Sequence, residues 1–102
     1  MESEYLYHIT SLQEWEAAKI KNEYTSQNYE KEGFIHCSIE KQIPGVLDRF
    51  YKGQKGLVKL KIDKAKVQRP VLFELAHDLD ELFPHIYGPL NLDSVVEVIT
   101  IS

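Results

Sequence analysis

The chain has 102 residues, of which 43% are hydrophobic and 11% aromatic, and its formal net charge is -4. This length suits one domain with one hydrophobic core and is too short for two. The acidic balance and the scattered basic residues argue against duplex nucleic acid as the main partner. No apolar run is long enough to cross a bilayer, and the first residues lack the pattern of a secretion signal. We therefore expect one globular, cytoplasmic domain without a membrane partner.

The amino-terminal part of the chain predicts a strand followed by a helix. Residues 4–9 alternate in period two, which is typical of a strand and places His8 near its end. Ser11 and Glu14 have the spacing of a helix cap, so a helix is expected from Ser11 to about Lys21. Its short apolar stripe predicts that one face packs against the sheet: Leu12, Trp15 and Ala18.

A loop, a second strand and a second helix are expected next. Residues 22–31 have neither helical nor strand period, which predicts a loop long enough to arch over a site. Residues 33–38 predict a strand with one set of side chains on the same face: Phe34, His36 and Ser38. The second helix should end near Gly53 and carry Pro44 in its first turn. Its apolar residues recur at helical spacing: Ile39, Ile43, Val46, Leu47 and Phe50.

The remaining chain predicts three more strands. Leu57–Asp63 shows the clearest alternation, with one set of side chains inward: Val58, Leu60 and Ile62. Val71–Leu75 and Ser94–Ile101 predict the other two, with an acidic turn at His77–Glu81 and a bridging segment at Phe83–Leu92. Runs of strands with two early helices indicate an α+β domain. Trp15 and Phe50 are expected in its core.

Three histidines lie in apolar or aromatic surroundings: His8, His36 and His85. A neutral imidazole offers one donor and one acceptor and titrates near neutrality, so it suits proton transfer or a bond to a ribose hydroxyl. The structural alternative is a core histidine bonded to a backbone carbonyl. Three such residues in one small domain favour a shared cleft, in which at least one imidazole should titrate below its ordinary value of about 6.5.

A metal site is not expected, although His8, His36, His85 and Cys37 are all acceptable zinc ligands. His36 and Cys37 are adjacent, so on a strand they point to opposite faces, and no zinc-binding spacing is present. Cys37 is also a weak candidate nucleophile because no basic residue flanks it. As the single cysteine of the chain it cannot form an internal disulfide, which is typical of a reducing compartment.

The segment Phe83–Asn91 is the most informative stretch of the chain. Two prolines and a glycine fix its backbone around His85, Tyr87 and Asn91, as in loops that present side chains. A plain structural turn is the alternative reading of the same residues.

Six parts of the chain together resemble the bacterial family known as domain of unknown function 952. They are Tyr7–Ile9, Trp15, Glu32–Ser38 with Gln42, Leu60–Asp63, Phe73–Glu74 and Phe83–Leu90. The match spans nearly the whole chain. Two of its motifs, Glu-Gly-Phe-Ile-His-Cys-Ser and Phe-Pro-His-Ile-Tyr-Gly-Pro-Leu, are too long to arise by chance.

The resemblance implies a fold similar to that of ADP-ribosyltransferases, a split and mostly antiparallel sheet with two helices that holds NAD in a cleft. It places His8 at the residue that bonds a ribose hydroxyl, and His36 near the position of a stacking tyrosine. The late glutamate of such enzymes has no motif match in Glu74 or Glu97. Electrostatic stabilisation of the transition state depends on that group.

Two functions of different class follow from the resemblance. The first is an NAD- or nucleotide-using transferase with three catalytic histidines, His8, His36 and His85. Its substrate-binding residues would be Ser38, Gln42, Tyr87 and Asn91. The alternative is a non-catalytic module that binds a small molecule or nucleotide and has lost the catalytic glutamate.

Overall fold

The computed structural model describes residues 4–75 and 81–101, which form two antiparallel three-stranded sheets. The first sheet has the order β1-β3-β6, with strands Tyr5–Ser11, Leu57–Asp63 and Val95–Thr100. The second has the order β2-β5-β4, with strands Ile35–His36, Leu82–Ile86 and Val71–Leu75. The expected α+β class and antiparallel pairing are confirmed. Residues 77–80 of the acidic turn predicted at His77–Glu81 lie outside the described residues.

Within residues 4–75 and 81–101, three short α-helices accompany the sheets: α1 (Leu12–Lys21), α2 (Tyr29–Glu32) and α3 (Ile43–Phe50). The predicted cap of α1 is confirmed, since the Glu14 amide donates to the Ser11 hydroxyl at 3.0 Å. Helix α2 lies where only a loop was predicted. A 3₁₀ turn at Glu40–Gln42 leads into α3, and Pro44 falls in its first turn as expected. No helix among the described residues is long and apolar enough to span a membrane.

The main core lies between the two sheets and α1, and it includes Trp15, as predicted. Two other expectations for the core are wrong. Phe50 is 57% exposed and Leu12 is 48% exposed. Tyr51, the residue after α3, takes the place expected for Phe50: it packs against the smaller core under α3 and donates its hydroxyl to the Ile9 carbonyl at 3.2 Å.

Strand β5 corrects the prediction that Phe83–Leu92 only bridges two strands. A proline is unusual in a central strand because it has no amide proton to give to a ladder. In the structure β5 is the central strand of its sheet, and the Pro84 carbonyl accepts the Cys37 amide at 2.9 Å. That contact lies just past the end of the β2 ladder, which pairs only Ile35 and His36 with β5. The edge of Pro84 that lacks an amide proton therefore faces the end of the β2–β5 ladder.

A backbone pair joins the two sheets and positions the candidate site. The Tyr7 amide donates to the Ser38 carbonyl at 2.8 Å, and the Ser38 amide donates to the Tyr7 carbonyl at 2.7 Å. Because His8 follows Tyr7 and His36 lies two residues before Ser38, this pair brings the two histidines together.

Gly88 shapes the turn after β5 and provides a test of its backbone. Its φ is 150°, and a Cβ added there would lie 2.6 Å from Arg69 Cδ. We expect Gly88→Ala to lower the free energy of unfolding by roughly 1–3 kcal/mol, measured by urea unfolding. The control is Gly45→Ala within α3, where the nearest side-chain atom, Arg49 Nη1, is 3.5 Å away and a helix favours alanine. An equal loss in both variants would contradict the prediction.

Candidate functional site

His8 is 6% exposed, and both of its ring nitrogens lie within hydrogen-bond distance of protein oxygens. Nδ1 is 2.5 Å from the His36 carbonyl oxygen, and Nε2 is 2.7 Å from the Tyr24 hydroxyl. The Tyr24 hydroxyl is in turn 3.0 Å from the Thr10 hydroxyl. All three side chains of this His8 network (His8, Tyr24 and Thr10) belong to buried residues.

The partners decide which His8 nitrogen carries the proton. A carbonyl oxygen can only accept, so Nδ1 donates to His36, and in the neutral ring Nε2 is left as an acceptor. The Tyr24 hydroxyl then donates to Nε2, and the Thr10 hydroxyl donates to the Tyr24 oxygen. Protonation of His8 would make Nε2 a donor, and Tyr24 would then donate to Thr10. Proton uptake by His8 thus reverses the direction of the network.

Burial lowers the pKa of His8 from its ordinary value of 6.5 to about 4. The bond to the His36 carbonyl favours the charged ring, but its effect is smaller than that of burial. The charge of a protonated His36 lowers the pKa further and is the smallest of the three causes. The expectation that one histidine titrates below its ordinary value is therefore met at His8, chiefly through burial and only slightly through repulsion.

A cavity of about 180 Å³ opens beside the His8 network. Part of its wall comes from residues 26–28, so the segment after α1 arches over it as predicted. The polar side chains of the wall include Glu14, Ser26, Gln27, Asn28, Glu32 and His36. None of the described residues that line this cavity is Lys or Arg.

Glu32 and His36 form a hydrogen bond in the wall of the cavity. Glu32 Oε2 lies 3.0 Å from His36 Nε2, and the side chains are 33% and 49% exposed, respectively. With Glu14 also in the wall, the cavity has two carboxylates, and the only basic side chains among the described lining residues are those of His8 and His36. Its chemistry therefore favours a neutral or cationic polar group over a phosphate.

His85 does not line this cavity, although its ring lies 5.0 Å from that of His36. His85 is 3% exposed, and its Nδ1 donates to Glu74 Oε1 at 2.8 Å. The Tyr87 hydroxyl donates to the same oxygen at 2.5 Å, and the Phe34 ring stacks on His85 at 4.1 Å. The structure thus brings His8 and His36 to one cavity and places His85 with Tyr87 beside His36.

The other predicted site residues, Ser38, Gln42 and Asn91, do not line this cavity. Ser38 is 5% exposed and pairs through its backbone with Tyr7. Gln42 donates to Glu81 and to the Leu82 carbonyl, and it accepts the Ile39 amide. Asn91 donates to the Lys66 carbonyl and to Asp93, and it accepts the Gln68 amide. The amide groups of Gln42 and Asn91 therefore hold the chain itself together.

Cys37 is buried in the main core, and burial raises the pKa of its thiol. Its neighbours there are apolar, which is the setting of a small apolar core residue. No group of three or more His, Cys, Asp and Glu among the described residues is placed to hold a metal ion.

Tyr24, Thr10, Glu32 and Glu74 complete the two histidine groups, and none of them was predicted as a site residue. Glu32 could have been found, because it lies four residues before His36, close enough in sequence for a local pair. Tyr24 and Glu74 meet their histidines across long stretches of chain, 16 and 11 residues apart. No pattern in a single sequence signals such pairs.

The Tyr24 hydroxyl should contribute to stability through His8. We expect Tyr24→Phe to lower the free energy of unfolding by roughly 1–3 kcal/mol, because it leaves the buried His8 Nε2 without a donor. Urea unfolding at neutral pH measures the loss. The matched control is Tyr5→Phe, since Tyr5 is 38% exposed and its ring can keep its contact with Lys61. A loss no larger than that of the control would show that the hydroxyl is dispensable.

The fold and the site together define a small α+β protein with a polar cavity next to a buried histidine. The sequence matches the family described as "Protein of unknown function (DUF952)" over residues 9–98, and the chain belongs to this family. No curated protein matches the chain.

Solved structures of protein CC0527 from Caulobacter crescentus are similar to this chain. The X-ray structure has 28% sequence identity and a TM-score of 0.86, and the match covers 96% of this chain and 86% of that chain. An X-ray structure of a double mutant of CC0527 gives the same values. The solution NMR structure of CC0527 has the same identity and a TM-score of 0.73, covering 96% of this chain and 84% of that chain.

Proposed function

We propose that this protein acts in the cytoplasm as a nucleotide-using transferase of ADP-ribosyltransferase type. In this proposal the cavity beside the His8 network binds the nicotinamide riboside end of NAD. The observation that carries the proposal is the composition of the cavity wall: two carboxylates, two histidines, hydroxyls and amides, with no Lys or Arg among the described lining residues. Such a wall suits a ribose and the positively charged nicotinamide ring of NAD, while the phosphates would remain outside.

The size of the cavity supports this division of the ligand. Ligand pockets usually enclose roughly 300–1,000 Å³. At about 180 Å³ this cavity can enclose only one part of a dinucleotide. The nicotinamide riboside end is the part whose positive charge agrees with Glu14 and Glu32.

Within the proposal, the exposed His36 and Glu32 are the groups that reach the ligand. The two nitrogens of His8 are already bonded within the protein, so His8 would act by holding the His36 backbone in place. Glu32 is the carboxylate best placed to stabilise positive charge on the ribose, because its bond to His36 orients it in the wall. The fold similarity to ADP-ribosyltransferases is part of the same proposal.

A binding module without catalysis is the second candidate. The observation that favours it is the engagement of both His8 nitrogens, which leaves no free imidazole nitrogen at the bottom of the cavity for proton transfer. Such a module would bind the same group and leave it unchanged.

NMR titration of the ¹⁵N-labelled protein tests both candidates. We expect NAD and nicotinamide riboside to shift the amide resonances of Thr10, His36 and residues 26–28, and ADP to leave them in place. Glu32→Gln should weaken NAD binding about two- to fivefold, the effect of one partly exposed charge. The control is Glu30→Gln, in the same helix but outside the cavity wall.

The two candidates differ in turnover. Release of nicotinamide from bound NAD, detected by chromatography, supports the transferase. Binding without release supports the module, and a spectrum unchanged by NAD and by nicotinamide riboside at millimolar concentration rejects both.

A further inference from the structure

Four rings form a cluster on the face of the second sheet that points away from the main core: Phe34, His36, His85 and Tyr87. The Phe34 and His85 rings are stacked, with centroids 4.1 Å apart and planes at 16°. The His36 ring meets His85 edge-on at 5.0 Å, and the Tyr87 ring lies 5.3 Å from Phe34. The opposite face of the same sheet carries Ile35 and Ile86, which belong to the core. The ring cluster shares His36 with the wall of the cavity, but His85 does not line the cavity.

Glu74 determines which nitrogen of a neutral His85 carries the proton. Its Oε1 accepts from His85 Nδ1 at 2.8 Å and from the Tyr87 hydroxyl at 2.5 Å. These two bonds lower the pKa of the Glu74 carboxyl, so that it is ionised and acts only as an acceptor at neutral pH. The proton of a neutral His85 therefore resides on Nδ1, and Nε2 presents a bare lone pair.

That lone pair is without a hydrogen-bond partner. His85 is 3% exposed, and Nε2 is the one buried side-chain nitrogen or oxygen in the described part of the chain that no donor or acceptor reaches. Buried acceptors are rarely left unpaired, because an unpaired group loses the hydrogen bond it made to water in the unfolded chain. A carboxylate–imidazole pair with a free Nε2 is also the arrangement that makes a histidine an effective proton acceptor.

We propose that His85 is the hydrogen-bond acceptor of a second binding site, which takes a planar ring bearing a hydroxyl or N–H donor. The donor bonds to His85 Nε2, and the ring packs among the aromatic side chains of the cluster. Phe34 and His36 are both partly exposed and their rings pack against His85, so the ligand reaches the buried Nε2 by displacing one of these rings. Glu74 is a positioning residue, since it accepts from His85 Nδ1 and so holds the tautomer, and the Tyr87 hydroxyl holds Glu74 through the same oxygen.

Phenol and toluene are matched probes, because they have similar shape and differ in the donor. In NMR spectra of protein with ¹⁵N-labelled histidine, we expect phenol to move the His85 Nε2 resonance and to leave the His8 resonances in place. Phenol should bind about tenfold more tightly than toluene, which would leave the acceptor unpaired. This test involves no nucleotide, so its result is independent of the proposed NAD site.

A variant provides the second measurement. His85→Phe keeps a ring for stacking and removes the acceptor, so the preference for phenol over toluene should disappear while toluene still binds. Equal affinity of the wild-type protein for the two probes overturns the proposal. Shifts at His8 in place of His85, or a His85 Nε2 that is protonated at neutral pH, overturn it as well, and neither result requires the variant to fold.

Discussion

Lowering the pH from 6.5 to 4 is expected to reduce the free energy of unfolding by about 3 kcal/mol more in the wild-type protein than in a His8→Asn variant. The cause is the burial of His8, which lowers its pKa in the folded protein from 6.5 to about 4. Each pH unit between these values corresponds to about 1.4 kcal/mol.

The sign of the effect follows from the state that binds the proton. Well above pH 6.5 His8 is neutral in both the folded and the unfolded chain, so its own contribution to stability does not change with pH. As the pH falls below 6.5, the unfolded chain takes up a proton that the folded chain refuses, so stability decreases. Below about pH 4 both states are protonated, and the contribution of His8 levels off.

Urea unfolding of both proteins across this pH window measures the effect. Carboxylates such as Glu74 also titrate at acid pH, but they are present in both proteins and cancel in the difference. Asparagine can still donate to the His36 carbonyl, which His8 contacts through Nδ1. If the two proteins lost stability in parallel, His8 would not be the buried neutral group described here.

A strand could be predicted from the sequence where one of its faces is buried and the other is exposed. Leu57–Asp63 is the best example, since its alternation places Leu60 and Ile62 in the core, where both are 0% exposed. The capping of α1 at Ser11 was also predictable, because a cap depends on residues three positions apart. Both features are local in sequence.

Features that depend on distant partners were not predictable. Phe50 has the right helical spacing for burial, but Tyr51 packs in its place because its hydroxyl reaches the Ile9 carbonyl. Pro84 suggested a turn, although β2 is so short that the lost amide proton breaks no ladder bond. In both cases the outcome depends on where another strand ends.

The candidate site shows the same division. The apolar surroundings of His8 and His36 indicated a functional region, and the structure places both in the wall of one cavity. The groups that fix the tautomer of each histidine are the His36 carbonyl for His8 and Glu74 for His85, and they come from other elements. A sequence pattern could therefore indicate which imidazoles matter and not how each is protonated.

Leu60→Ala should be among the most destabilising single substitutions in the described part of the chain. Leu60 is 0% exposed in β3, the central strand of the first sheet, and its removal leaves a cavity that rigid strands on both sides cannot fill. We expect a loss of roughly 2–5 kcal/mol in the free energy of unfolding. The control is Val98→Ala, since Val98 lies directly opposite Leu60 on β6 and is 39% exposed, so it should lose less than about 1 kcal/mol. Urea unfolding measures the loss of both variants, provided that the slope of the free energy against urea concentration stays unchanged. Similar losses would mean that the core does not centre on β3.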